Sequence, residues 1–149
     1  MPAGSDAPPL PHTWRPLGVR LAMLFFGGLL LLLCAFAWFG FDAETRARFT
    51  LLQRTTLVAL ALLAGSACYA LVRSRVTASE AGLTVVNGYR RRDYEWAEVV
   101  AIHLPQGAPW ATLDLADGTT AAVMALQGSD GNRARTAVRQ LRSLIDRPG

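Results

Sequence analysis

Groups able to do covalent or acid–base chemistry are sparse in this chain. It has two histidines, His12 and His103, and two cysteines, Cys34 and Cys68. His12 stands in a stretch rich in Pro, Gly and Ala. His103 stands between Ile102 and Leu104 in an alternating segment, where a lone histidine is expected to be structural or exposed. Both cysteines are embedded in apolar runs and read as inert small hydrophobes, not as nucleophiles or a disulfide framework. Asp114 and Asp117 flank a turn that already accounts for Asp117. Asp93, Glu95 and Glu98 lie among arginines and read as their solvated partners. No His/Cys/Asp group has metal-ligand spacing and no glycine-rich loop is shaped for phosphates. The expectation is a protein that is not an enzyme and needs no cofactor and no metal.

Charge is the remaining chemistry. All 15 basic residues are arginine, against 11 acids, and the net charge is +4. The triplet Arg90, Arg91 and Arg92 sits between two strand-like segments. Three readings stay open for it. It is a solvated strand start beside Asp93 and Glu95, a contact to anionic headgroups worth about 1 kcal/mol per arginine, or a contact to an acidic partner. A second group, Arg135, Arg139 and Arg142, falls on one face of a helix-like segment and is a further candidate contact for anionic lipid or a partner. Nucleic acid is the least favoured ligand, because ten arginines from Arg73 onward face eight acids.

The elements that must position these arginines begin with two apolar runs. Leu21 to Phe41 contains no charged residue, and Thr55 to Val72 contains none either. At 1.5 Å per residue each is long enough to cross a bilayer as a helix. Trp14 and the Trp38/Phe39/Phe41 group flank the first run like an interfacial belt. Ala61 and Gly65 form a small-residue pair suited to packing against Gly27 or Gly28. The expected layout is a disordered tail over 1–16, a first transmembrane helix over 17–41, a loop over 42–54, a second helix over 55–73 and a folded domain over 75–149. Seven arginines on the terminal side against three in and beside the loop place both termini in the cytoplasm, at the inner (plasma) membrane.

From residue 76 the pattern changes to short alternating segments with turn signals. Leu83–Val86 and Arg90–Trp96 read as a hairpin about Asn87-Gly88, with Tyr94 and Trp96 on one face. Val99–Leu104 reads as another strand. Asp117-Gly118 reads as a two-residue turn that opposes Leu115 with Thr120, Leu113 with Ala122 and Ala111 with Met124. Leu113, Leu115, Ala122 and Met124 would then be buried together. Trp96 and Trp110 are expected in the core. Ala134, Ala137, Val138, Leu141, Leu144 and Ile145 recur at helical spacing, with Asp130 as N-cap. The fold class expected is a two-helix transmembrane hairpin followed by a small, mainly antiparallel β domain with one C-terminal amphipathic helix.

Glu80-x-Gly82 before Thr84-Val85, Trp96 followed by Glu98-Val99, Trp110-Ala111 and Leu115-x-Asp117-Gly118-Thr119 together resemble the bacterial PH-like domain of the actinobacterial low molecular weight protein antigen 6 family. The resemblance runs from about Trp14 to Leu126. It implies two membrane helices followed by a PH-type domain, and no shared catalytic residue. The domain, counted from residue 76, is short of strands for a full PH barrel. The function expected is a membrane-anchored binding or scaffolding module that contacts an anionic lipid surface or a membrane-associated protein. The alternative is a structural subunit that assembles with another membrane protein through its helices.

Overall fold

A computed structural model describes residues 7–147. The elements in chain order are β1 (His12–Trp14), α1 (Leu17–Gly40), α2 (Ala43–Arg48), α3 (Leu51–Arg73), β2 (Arg75–Ser79), β3 (Gly82–Asn87), β4 (Arg90–Tyr94), β5 (Val99–His103), β6 (Trp110–Leu115), β7 (Thr120–Gln127) and α4 (Asn132–Ile145). One antiparallel sheet has the order β1-β2-β3-β4 and the second the order β5-β6-β7. Strand β7 lies against β2 and β3, and α4 covers β5 and β7. The core between them holds Trp14, Val76, Leu83, Ile102, Leu113, Val123 and Leu141. The α4 stripe Ala134, Ala137, Val138, Leu141 and Leu144 is buried there, as its spacing requires.

One strand that the count from residue 76 lacks comes from ahead of the helices. Residues 12–14, expected within a disordered tail, pair with β2, with Thr13 opposite Thr77 and Trp14 opposite Val76. The Thr13 and Thr77 hydroxyls meet at 2.9 Å. Trp14 is buried, and its indole N–H donates to Gln140 Oε1 at 3.0 Å. Composition argued for disorder, but the side chain of one tryptophan and the open edge of β2 outweigh the local entropy. Helices α1 to α3 are therefore a long excursion between two paired strands. Because β1 and β2 are neighbours, both ends of the helical pair return to the same face.

Helices α1 and α3 are each long and apolar enough to cross a membrane, and none of their apolar length is buried by the rest of the protein. Phe36 is 83% exposed and Leu24 is 77% exposed. Helix α3 starts at Leu51 rather than Thr55, because Thr50 and Gln53 form a reciprocal capping box. The stretch expected to be a plain loop contains α2, capped by Asp42 on the Thr45 amide at 2.8 Å. Gly65 does not pack on Gly27 or Gly28. A methyl group built on any of the three meets nothing within 4 Å. The two helices are instead tied at their domain ends, where the Arg20 guanidinium donates twice to the Val72 carbonyl, at 3.2 and 3.1 Å.

Two hairpins differ in register from expectation. The β6–β7 turn is a three-residue loop, 116–118. Leu115 N–H donates to Thr119 O, and Gly118 N–H to Leu115 O, with Gly118 at φ 83°. A type I turn closed by a left-handed glycine adds one residue to the loop. Asp114 now opposes Thr120, Leu113 opposes Ala121 and Ala111 opposes Val123. The buried set is Ala111, Leu113, Val123 and Ala125, not Leu115, Ala122 and Met124. In the β3–β4 hairpin, Asn87 opposes Arg90, so Gly88-Tyr89 is the turn and Gly88 alone has positive φ. Trp96 leaves the strand for a single helical turn, and its indole N–H donates to Ser79 O at 2.9 Å. Trp110, expected in the core, is 36% exposed.

Asp130 does not cap α4, whose N-cap is Gly131 with no side-chain bond. Its carboxylate accepts from the Leu17 and Gly18 amides at 3.1 and 2.9 Å, at the N-terminus of α1. A negative charge there satisfies two free amides and opposes the helix dipole. Gly18 permits the approach, since a methyl at that position would come within 2.5 Å of Asp130 Oδ1. Asp130→Ala is expected to cost about 1 kcal/mol. Amide hydrogen exchange should then rise at Leu17 and Gly18 while the β-sheet amides stay protected. Unchanged exchange at those two amides would remove the clamp from the account.

Candidate functional site: the arginine hairpin

The β3–β4 hairpin is fixed at its tip. The Tyr89 hydroxyl lies 2.7 Å from Ser66 Oγ and donates to the Ser66 carbonyl at 3.0 Å. The Gly88 amide donates to Ser74 Oγ at 3.0 Å, and Ser74 Oγ donates back to the Ala70 carbonyl at 3.2 Å. The Tyr69 and Tyr89 rings stand 6.3 Å apart. Ser66 precedes the last residue of α3 by seven positions, so the tip reaches about 10 Å back along that helix. Glycine is required at 88 both for its φ of 61° and because a Cβ would stand 3.3 Å from that of Ala70.

Strand β4 divides the arginine triplet between two faces, since neighbouring strand residues point opposite ways. Arg91 is on the outer face with Asp93, at 3.0 Å. Asp93 also accepts from the Thr84 hydroxyl across the ladder. The Arg91 hydrogen bond, followed by that of Thr84, holds the Asp93 carboxyl below the usual range, and Asp93 raises Arg91 in turn. Arg91 is thus engaged within the strand. Arg90 and Arg92 share the inner face with Tyr94 and line a cleft of about 230 Å3 that reaches Thr120 and Ala122. Both are exposed, and both strands at this cleft, β4 and β7, are sheet edges. Inward charge on an edge strand resists unwanted pairing.

Asn87 seals the floor of that cleft. Its Nδ2 donates to Ala122 O at 2.6 Å, and its Oδ1 accepts from Met124 N–H at 3.0 Å, which joins the two sheets.

The helix arginines are not part of this group. Arg135 lines a separate cleft beside the 105–109 loop. Arg139 donates to the Thr136 hydroxyl at 3.0 Å, and Arg142 donates to the Ile102 carbonyl at 2.9 Å, on the free edge of β5. Arg142 therefore satisfies one backbone carbonyl of that edge. His103 meets Asp114 at 3.2 Å as a half-exposed surface pair. Among the described residues no cluster of three or more His, Cys, Asp or Glu could hold a metal. Tyr89, Ser66, Asn87 and Asp130 were not singled out for these roles by the sequence. Each is an ordinary residue whose partner is at least 23 positions away, and only the folded chain joins them.

Residues 73–144 match the family model described as Bacterial PH domain. The chain is 37% identical over 95 residues to an uncharacterized protein of Mycobacterium tuberculosis (strain H37Rv) and, at the same level, to one of Mycobacterium bovis. The aligned part is 64% of this chain and 62% of each relative, so the match spans less than two thirds of their length. No solved structure matches. The match covers six of the seven strands and nearly all of α4, and the remaining strand, β1, pairs directly with the first of those six. Residues 73–144 are thus similar to the bacterial PH domain family, and β1 adds a strand to that region from ahead of the helices.

Proposed function

We propose that this protein is a membrane-anchored PH-type binding module. Its helices α1 and α3 cross the plasma membrane, and its domain contacts the anionic lipid surface through Arg90 and Arg92. One observation carries this reading: Tyr89 is bonded to Ser66 about 10 Å inside the end of α3. A tyrosine at that depth suits the interface, with its ring in the apolar zone and its hydroxyl bonded. Arg90, the next residue, then stands at headgroup level, and Arg92 lies about 7 Å further along the strand. The pairing of β1 with β2 supports a layout with both ends of the helical pair on one side of the bilayer. The seven-to-three arginine asymmetry makes that side the cytoplasm, where anionic lipid attracts arginine.

The full chain in nanodiscs tests this. Residues 88–94 should exchange amide hydrogen more slowly over phosphatidylglycerol than over phosphatidylcholine, and Arg90→Glu with Arg92→Glu should abolish the difference. A lipid-dependent difference that survives charge reversal would sink the headgroup contact. Loss of a co-purifying protein in the same variant, without any lipid dependence, would make the ligand an acidic partner.

A second reading, a structural subunit that assembles through its helices, is favoured by one observation. Gly27, Gly28 and Gly65 present open surface on helices that barely touch each other. Small residues let helices of two membrane proteins approach closely. Charge reversal without effect on lipid or partner would support this reading over the first.

A further inference from the structure

We infer that the face of α1 next to strand β1 forms a seat for one anionic phospholipid, separate from the arginine hairpin. The phosphate lies between β1 and α4, and an acyl chain lies along α1. The inference rests on the reading that α1 crosses a bilayer. A cavity of about 230 Å3 opens there, lined by His12, Thr13, Arg15, Asp130 and Arg133. Among the described residues, Arg15 and Arg133 have no ion-pair or side-chain hydrogen-bond partner. The one carboxylate in the cavity, Asp130, is already engaged by the Leu17 and Gly18 amides. Two free guanidinium groups and a histidine at one cavity suit a phosphate ester, which arginine binds through paired donors. Arg15 stands two residues before the first residue of α1, at the height of a lipid headgroup.

A second feature lies directly below. A furrow of about 630 Å3 runs along α1, lined by Leu21, Leu24, Phe25, Gly28, Leu29 and Leu32. Gly18, Leu21, Phe25, Gly28 and Leu32 recur at helical spacing and so share one face of α1. Gly18 is the residue against which Asp130 rests. The furrow therefore starts one turn below the cavity and on the same side. Gly28, with nothing within 4 Å of a built Cβ, gives it depth. A headgroup seat above an apolar groove of about 16 Å matches a phospholipid and exceeds what free phosphate would use.

Native mass spectrometry of the detergent-solubilised full chain tests this, with phosphatidylglycerol, phosphatidylcholine and glycerol 1-phosphate as probes. One phosphatidylglycerol should stay bound, phosphatidylcholine should not, and glycerol 1-phosphate should bind far more weakly. Arg15→Gln with Arg133→Gln should weaken phosphatidylglycerol about thirtyfold, the product of two arginine contacts near an anionic group. Both side chains are exposed, so the thermal midpoint of the double variant should match that of the parent. Arg90→Gln with Arg92→Gln should leave this bound lipid in place, which separates the seat from the hairpin contact. Gly28→Leu, which fills the furrow and leaves the arginines intact, should also reduce retention. Equal retention by the parent and the Arg15/Arg133 variant would overturn the seat. Equal binding of glycerol 1-phosphate and phosphatidylglycerol would overturn the lipid as its source.

Discussion

A fragment that begins at Arg75 is expected not to fold, although it contains almost all of the matched domain. It lacks β1, and with it Trp14, which fills the core beside Val76 and bonds Gln140 on α4. Without β1 the edge of β2 is bare, the core loses its Trp14 ring, and Gln140 on α4 loses its partner. In the full chain, Trp14→Ala should cost about 3–5 kcal/mol, the usual range for an aromatic deleted from a core. That is a large part of the stability of a small domain. Joining residues 7–16 to Arg75 through a short flexible linker in place of the helices should restore a cooperative thermal transition. A fragment 75–147 that melts cooperatively at the same temperature as the linked form would show that β1 is dispensable.

Asn87→Ala should be the next most damaging change. The Asn87 carboxamide is a single group that satisfies the Ala122 carbonyl and the Met124 amide, across the junction of the two sheets. Alanine leaves both backbone groups unpaired in a partly buried place, at about 1–2 kcal/mol for each, the lower part of the range for a buried group. The expected loss is about 2–4 kcal/mol, larger than for any exposed arginine. Asn87→Asp keeps an acceptor for Met124 N–H but sets a carboxylate against the Ala122 carbonyl, so it should rescue only part. Thermal denaturation of the three proteins measures this, and exchange at the Met124 amide locates it. A midpoint for Asn87→Ala equal to that of the parent would show that the sheets do not depend on this bridge.

Both expectations rest on contacts between residues far apart in sequence, which sets the limit of what sequence alone could determine here. Periodicity determined the two apolar helices, because length and lack of charge are local properties. It determined the buried stripe of α4 for the same reason, and alternation identified strands β3 to β7 but not β2 (Arg75–Ser79). The glycines at 88 and 118 marked both hairpins correctly, but not their registers. Whether Asn87 or Tyr89 shares the turn with Gly88 depends on Asn87 reaching β7. The length of the 116–118 loop decided which face of β7 is buried, and one residue of loop exchanges the two faces.

The tertiary structure alone decided where the arginines stand. In sequence, Arg90, Arg91 and Arg92 are one triplet. Folded, Arg91 is bound to Asp93, while Arg90 and Arg92 line an edge cleft beside a hairpin tip held by Tyr89 on Ser66. Asp130 read as a local cap and became the cap of a helix that starts 113 residues earlier. Local composition likewise made residues 1–16 a tail, while the open edge of β2 made His12–Trp14 a strand. A side chain's periodicity is written in its neighbours, but its charge and hydrogen bonds are satisfied by whatever the fold brings near, and that is set only when distant segments meet.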